Sequence, residues 1–165
     1  MRTFRIGGIH PPANKLSASQ PIETIPPPAT VVIPLGQHIG APASAVVTKG
    51  DKVKGGTLIG KAEGFVSANV HSSVSGTVAK VDNMIDGSGI ARPAVYINVE
   101  EDEWETEIDR SETLVRDCNL SSGEIIKKRE AAGIVGMGGA TFPTKIKLTP
   151  PPGNKADLLV INAVE

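Results

Sequence analysis

Short runs of valine and isoleucine, separated by glycine-containing turns, fill the chain from residue 30 to residue 100. Turn signals recur about every ten residues and no helical repeat of apolar positions intervenes, a spacing typical of a small all-β sandwich or barrel. The sequence therefore predicts a mainly β domain over residues 30–100. The strands are predicted at Val31-Val32-Ile33, Ala45-Val46-Val47, Leu58-Ile59, Val78-Ala79-Lys80-Val81 and Ala94-Val95-Tyr96-Ile97-Asn98-Val99.

The segments on either side of this domain lack a regular apolar pattern. Residues 1–29 contain Gly7-Gly8, Pro11-Pro12 and Pro26-Pro27-Pro28. Because proline fixes φ and removes a backbone donor, we expect an irregular arm that lies extended against a neighbouring domain.

Residues 100–112 hold eight of the chain's 18 acidic residues. A like-charged stretch repels itself and resists packing, which predicts a solvated linker over residues 101–112. Trp104 is expected to anchor this linker to one of the domains. A cation-binding or docking role is the alternative.

A helix is predicted to begin after Ser121, because Ser121-Ser122-Gly123-Glu124 has the spacing of a capping box. It should end at Gly133, since glycine tolerates the left-handed conformation that follows many helices. Ile125, Ile126 and Ala132 are expected to face a core. Further along, the continuous apolar run at residues 157–163 predicts a buried parallel strand with a polar end. Residues 113–165 thus have the pattern of the start of an α/β domain.

The composition of the chain argues against several classes of protein. The 17 basic and 18 acidic residues give a formal net charge of −1, which argues against nucleic-acid binding. No apolar run approaches the ~20 residues of a membrane span, and no signal peptide is recognisable, so we expect a soluble, cytoplasmic chain. With five aromatic residues, the core must be built from Val, Ile, Leu and Ala. The single cysteine, Cys118, excludes an internal disulfide or a cysteine-ligated metal cluster.

Two turns in the β domain resemble the half-motifs of biotinyl and lipoyl carrier domains, a barrel-sandwich hybrid fold. They are Lys49-Gly50-Asp51-Lys52-Val53 and Ser75-Gly76-Thr77-Val78. A carrier needs a lysine at the hairpin tip between them, but the tip reads Gly64-Phe65-Val66-Ser67-Ala68-Asn69, and Lys61 is the nearest lysine. We therefore do not expect covalent carriage of a cofactor.

The segment from Ile134 to Thr144 is the best candidate for chemistry. Gly136, Gly138 and Gly139 remove Cβ atoms where a backbone could approach a flat or anionic group. Pro143 fits the first turn of a following helix, whose free amides favour negative charge. A tight packing turn is the alternative, and the spacing does not match the dinucleotide fingerprint G-x-G-x-x-G.

Other chemistries have weaker support. His10, His38 and His71 are far apart in the sequence, without matching carboxylates, so we expect them to hydrogen-bond backbone and not to hold a metal. Cys118 has no evident base and is expected to be a small buried residue without a nucleophilic role.

The loop is similar to the flavin-binding segment of the NADH-oxidising subunit of respiratory complex I, which reads G-R-G-G-A-G-F-P-T-G-L-K and then N-A-D-E. The matching stretches here read G-M-G-G-A-T-F-P-T-K-I-K from Gly136 and N-A-V-E from Asn162. The whole chain resembles the C subunit of Rnf/Rsx electron transport complexes still more closely. The residues that carry this likeness are Phe4-Arg5-Ile6-Gly7-Gly8-Ile9-His10-Pro11-Pro12, Ile33-Pro34-Leu35-Gly36-Gln37-His38-Ile39-Gly40-Ala41-Pro42, Gly64-Phe65 and Val70-His71-Ser72-Ser73-Val74-Ser75-Gly76.

The resemblance implies a subunit that takes hydride from NADH onto FMN within an ion-translocating NADH:ferredoxin complex. Backbone around Gly136, Gly138 and Gly139 would pass close to FMN, Lys147 and Asn162 would hydrogen-bond it, and Phe142 would stack on the dinucleotide. Met137 and Val164 depart from the complex I pattern.

The resemblance also implies what lies outside these residues. The chain would be an N-terminal fragment, with 4Fe–4S clusters only in the missing C-terminal part and with neither tight FMN binding nor NADH oxidation by the 165 residues alone. The subunit would be peripheral on the cytoplasmic face of the membrane, held there by partner subunits. A non-catalytic interaction or scaffold module is the alternative.

Overall fold

The computed structural model describes residues 11–154, 156–158 and 160. Within these residues seven strands are followed by two helices. The strands are β1 (Thr30–Pro34), β2 (Ser44–Ala45), β3 (Lys52–Val53), β4 (Leu58–Lys61), β5 (Val70–His71), β6 (Gly76–Ile85) and β7 (Ala91–Val99), and the helices are α1 (Ser122–Ala131) and α2 (Thr144–Lys147).

The strands form two antiparallel sheets, one in the order β1-β7-β6-β3 and one in the order β2-β4-β5. This confirms the predicted β sandwich. Four of the five predicted runs lie in strands, but β2 contains only Ala45 of its predicted run, because the chain leaves the sheet for the turn that begins at Thr48. β3 and β5 have two residues each and are too short to give an alternating pattern.

The core lies between the two sheets and is aliphatic, as the composition predicts. In β7, Val95 and Ile97 are fully buried, while the intervening Tyr96 is partly exposed. This alternation places one face of the long sheet against the other sheet. The buried apolar cluster consists of Ile33, Leu35, Ala43, Val53, Ile59, Val70, Val78, Val95 and Ile97.

The two carrier-like half-motifs pair with each other. The Gly50 amide donates to the carbonyl of Val78 (2.8 Å), and the Val78 amide donates to the carbonyl of Asp51 (2.9 Å). Each half-motif thus satisfies backbone groups of the other, which is the arrangement expected of a barrel-sandwich hybrid. Lys61 ends β4 and is exposed, away from the hairpin tip.

The acidic segment after β7 begins packed against the sandwich. Trp104 lies over Gly55, where an added Cβ would come within 2.7 Å of the indole ring, and the Glu105 amide donates to the Gly55 carbonyl (2.9 Å). This confirms that Trp104 anchors the segment. Lys52 hydrogen-bonds Glu100 and thereby lowers the pKa of that carboxyl group.

The arm and the helix match the sequence predictions in part. Residues 11–29 contain no helix or strand and are exposed.

Ser121 caps α1 in a capping box with Glu124, and Gly133 follows the helix with φ of +66°. The expectation that Ala132 faces a core is wrong: it is exposed and no residue of α1 is buried, because the helix lies on the outside of the protein. Ile125 and Ile126 are half-buried.

The predicted strand at residues 157–163 is not present in the part of that run that the structure describes. Asp157, Leu158 and Val160 lie outside any strand, and Leu158 and Val160 are 80% and 79% exposed. A parallel strand of this kind is stable only between neighbouring strands. All seven strands of the described chain lie in residues 30–99 and pair with one another in the two sheets of the sandwich.

Candidate flavin site at the glycine loop

The glycine loop is a closed hairpin that projects from the end of α1. The Thr144 amide donates to the Ile134 carbonyl (3.0 Å), and Val135 forms an antiparallel bridge with Pro143. One step further out, the Gly136 amide donates to the Phe142 carbonyl (2.9 Å). These bonds fix both ends of the loop and leave residues 137–140 exposed.

Gly136 lies beside Lys147. A Cβ added at Gly136 would lie 3.1 Å from the Lys147 Nζ. The fold thus brings together two of the residues predicted to contact a cofactor, although the loop itself separates them in the sequence. The ammonium group of Lys147 therefore lies next to the first glycine of the loop.

Gly138 and Gly139 face open space. A Cβ added at either position would meet no atom within 4 Å. Gly139 has a φ of +50°, in the left-handed region, which accounts for a glycine there. Gly138 has neither a close neighbour nor a positive φ, so the described chain itself gives no reason for its missing side chain.

Two lysines of α2 differ in their surroundings. Lys145 is largely buried and forms an ion pair with Glu130 of α1, which ties the two helices together. Lys147 is exposed, and none of the ion pairs within the described part of the chain involves it. The charge of Lys147 therefore faces the loop without a carboxylate partner among those pairs.

The remaining predicted residues have mixed outcomes. Phe142 is half-buried, with its carbonyl engaged in closing the loop. Pro143 directly precedes α2 instead of lying in its first turn, and is fully buried. Met137 is 95% exposed. Asn162 and Val164 lie outside the described residues, so the predicted contact of Asn162 remains a prediction.

His38, His71 and Cys118 lie outside the glycine loop. His38 binds backbone as expected, with Nε2 near both the amide and the carbonyl of Ala68 and Nδ1 near the Ile39 carbonyl. His71 is partly buried in β5, and burial lowers its pKa. His10 lies outside the described residues.

The expectation that Cys118 is buried is wrong. Cys118 is exposed in the irregular segment before α1, where no helix or strand covers it.

The residues present fit a flavin phosphate or another anionic group. The fit rests on an open surface at Gly138, where no side chain stands in the way, and on the cationic Lys147 beside Gly136. A flat or anionic group lying on exposed backbone, with one lysine to balance its charge, has the chemistry that these residues offer. Sequence reasoning singled out the three glycines and Lys147 as candidates, but it did not predict that Lys147 lies beside Gly136. It also missed Asn69, which contacts the helix that leads into the loop.

Comparison with known families assigns both parts of the chain. The family model of the RnfC barrel sandwich hybrid domain matches residues 3–103, and that of the Nuo51 FMN-binding domain matches residues 130–165. A barrel-sandwich hybrid followed by the start of an FMN-binding domain defines the class of protein. The chain belongs to the RnfC family, the C subunits of ion-translocating oxidoreductase complexes.

The alignments with three named relatives cover all or nearly all of this chain. It is 46% identical to the C subunit of the proton-translocating ferredoxin:NAD(+) oxidoreductase complex of Clostridium ljungdahlii, over 100% of this chain and 36% of the relative. It is 44% identical to the C subunit of the Na(+)-translocating ferredoxin:NAD(+) oxidoreductase complex of Acetobacterium woodii, over 99% of this chain and 36% of the relative. Identity to the C subunit of the ion-translocating oxidoreductase complex of Rhodobacter capsulatus is 42%, over 100% of this chain and 32% of the relative.

The chain thus spans about a third of the length of the curated relatives it matches. These relatives are named as subunits of oxidoreductase complexes. Within the described residues, none of the helices has the length and apolar character needed to cross a membrane.

Proposed function

We propose that this chain is the N-terminal part of the NADH-oxidising, FMN-dependent subunit of an ion-translocating NADH:ferredoxin electron transport complex. The observation that carries the proposal is Lys147 beside Gly136 at the edge of a loop whose next glycines face open space. The match of residues 130–165 to an FMN-binding domain supports the same assignment.

The proposed roles of the residues follow from their positions. Gly136, Gly138 and Gly139 present backbone to FMN, and Gly138 in particular leaves room for it to lie against the main chain. Lys147 balances the negative charge of the cofactor. Asn162 lies outside the described residues, and its proposed hydrogen bond to FMN rests on the family resemblance alone. Phe142, at the far end of the loop, offers a ring on which the NADH dinucleotide stacks.

The other parts of the proposal extend beyond these residues. Bound FMN would supply the change from two-electron transfer by NADH to one-electron transfer. The iron–sulfur clusters that would accept single electrons are proposed for the remainder of the subunit. The subunit lies on the cytoplasmic face of the membrane, held there by its partner subunits. The names of the relatives, which specify ion translocation and ferredoxin:NAD(+) oxidoreductase activity, support the proposed electron transport complex.

Flavin content of the full-length subunit tests the proposal. We expect a yellow protein that releases fluorescent flavin on denaturation. Lys147→Gln should weaken FMN binding about 10- to 100-fold, because a charge-assisted hydrogen bond is lost, whereas Lys127→Gln on the exposed side of α1 should have no effect.

The outcomes separate the two candidate functions. A colourless full-length subunit that still assembles with its partners would support the scaffold alternative. A yellow subunit whose affinity is unchanged by Lys147→Gln would keep FMN in the protein but remove this lysine from the site.

A further inference from the structure

The hairpin between β4 and β5 is closed by its own side chains and is hydrogen-bonded to the segment before β2. The Ala62 amide donates to Asn69 Oδ1 and the Glu63 amide donates to Ser67 Oγ, both over 2.9 Å. Ser67 is fully buried and its hydroxyl donates to the Ala41 carbonyl (2.9 Å). In a carrier domain this hairpin tip presents a lysine that carries a cofactor, but here its side chains hold the tip closed.

The same hairpin contacts the end of α1. Asn69 Nδ2 donates to the carbonyl of Ala131, the last residue of the helix (3.2 Å). The last four carbonyls of a helix have no donor within it and need one from elsewhere. Gly133 lies directly on the Asn69 backbone, since an added Cβ would overlap the Asn69 carbonyl oxygen. Asn69 therefore contacts both sides of the turn that ends the helix.

That turn leads directly into the glycine loop. Ile134 follows Gly133, and its amide donates back to the Arg129 carbonyl of α1 (3.2 Å). The fully buried Pro143, at the other end of the loop, packs near Ser67 and Ala68 of the hairpin, with a cavity of only about 10 Å³ between them. Both ends of the loop thus lie beside the hairpin.

We infer that Asn69 is a positioning residue for the glycine loop. Its amide holds the end of α1 against the sandwich, and this contact sets where Gly136 and Lys147 lie. The effect on FMN rests on the proposed function, whereas the effect on the loop does not. The sandwich domain would then contribute to the flavin site through a residue that does not touch the cofactor.

Asn69→Asp in the full-length subunit separates the two hydrogen bonds of this side chain. Aspartate keeps an acceptor for the Ala62 amide but cannot donate to the Ala131 carbonyl, so the hairpin should stay closed while the helix end is released. The matched control is Asn98→Asp, which adds the same charge on β7, where the Asn98 Oδ1 accepts from Thr30. Asn69→Ala, which removes both bonds, is the second variant.

Hydrogen exchange of the FMN-free subunit gives the first measurement. We expect the amides of Ile134, Gly136 and Thr144 to exchange about two- to tenfold faster in Asn69→Asp, the range that corresponds to one lost hydrogen bond. The Val78 amide in the sandwich should be unaffected, and Asn98→Asp should leave all four amides unchanged. Equal exchange of the loop amides in Asn69→Asp and the wild type would overturn the inference, whether or not the protein binds FMN.

FMN affinity gives the second measurement. We expect it to fall about two- to tenfold in Asn69→Asp, with the melting temperature close to that of the wild type. Faster exchange without a change in affinity would overturn the link to the flavin. A wild type that binds no FMN would instead refute the proposed function, while faster exchange would still support the positioning of the loop.

Discussion

Gly76 of the sandwich and Gly138 of the loop differ in what surrounds them. Gly76 begins β6, and an added Cβ would overlap the carbonyl oxygen of Asn98 on the neighbouring strand. Gly138 is flanked by open space, with nothing within 4 Å of an added Cβ. At Gly76 the chain's own packing demands a glycine, whereas at Gly138 the described chain makes no such demand. A role for Gly138 towards a ligand therefore rests on the proposed function, and substitutions at the two positions can test it.

The same contrast holds for burial. The sandwich encloses an aliphatic core whose residues include Ile59 and Ile97, both with no exposed surface. The helices beside the loop have no buried residue. Stability and ligand binding are therefore expected to reside in different parts of the chain, and substitutions can test this separation.

Gly76→Ala should have the largest effect. The new methyl group has no room against the backbone of β7, so the strand pairing must open, and we expect a loss of more than about 4 kcal/mol in the free energy of unfolding. Urea unfolding followed by circular dichroism measures it. Gly87→Ala, where a Cβ would meet nothing within 4 Å, is the matched control. Similar stability of the two variants would contradict a packing role for Gly76.

Gly138→Ala should leave stability unchanged within about 0.5 kcal/mol, since the added methyl group is exposed. In the full-length subunit it should weaken FMN binding on the order of tenfold, because the methyl group occupies the surface on which the cofactor is proposed to lie. Titration of the FMN-free subunit with FMN measures the affinity. If Gly138→Ala binds FMN like the wild type, the open space at Gly138 has no role in FMN binding.

The smallest effect concerns His71, which lies where the sandwich faces the end of α1. Burial lowers its folded-state pKa below the ordinary value of 6.5. As pH falls through 6.5 towards the lowered value, the unfolded chain takes up a proton first, so the free energy of unfolding declines over that window. His71→Gln should reduce this decline. Urea unfolding at a series of pH values between about 7.5 and 5 measures it, and an equal slope in the variant would exclude His71 as its source.

Local sequence signals predicted the elements whose causes are local. The capping box at Ser121 and the glycine at position 133 mark the ends of α1 because both act on backbone groups within one turn of the helix. The strands β1, β6 and β7 were recognisable from their valine and isoleucine runs. The two-residue strands β3 and β5 were not, because pairing with distant strands defines them and two residues give no pattern.

Burial was less predictable where it depends on what an element packs against. Ala132 and Leu158 look like core residues from their sequence context, yet both are exposed. An apolar run predicts that a strand can be buried, but a neighbouring strand must be present for it to form. The expectation that Cys118 is buried was wrong for the same reason, since no helix or strand covers the segment in which it lies.

By itself, the sequence determined an aliphatic β sandwich, a capped helix and a glycine loop with a lysine eleven positions beyond its first glycine. Only the tertiary structure decided that Lys147 returns to Gly136 and that Asn69 supports the end of α1. Backbone conformation and capping depend on neighbours along the chain and can be read from it. The contact between Asn69 and Ala131 joins residues 62 positions apart, and no local pattern encodes which distant groups the packing brings together.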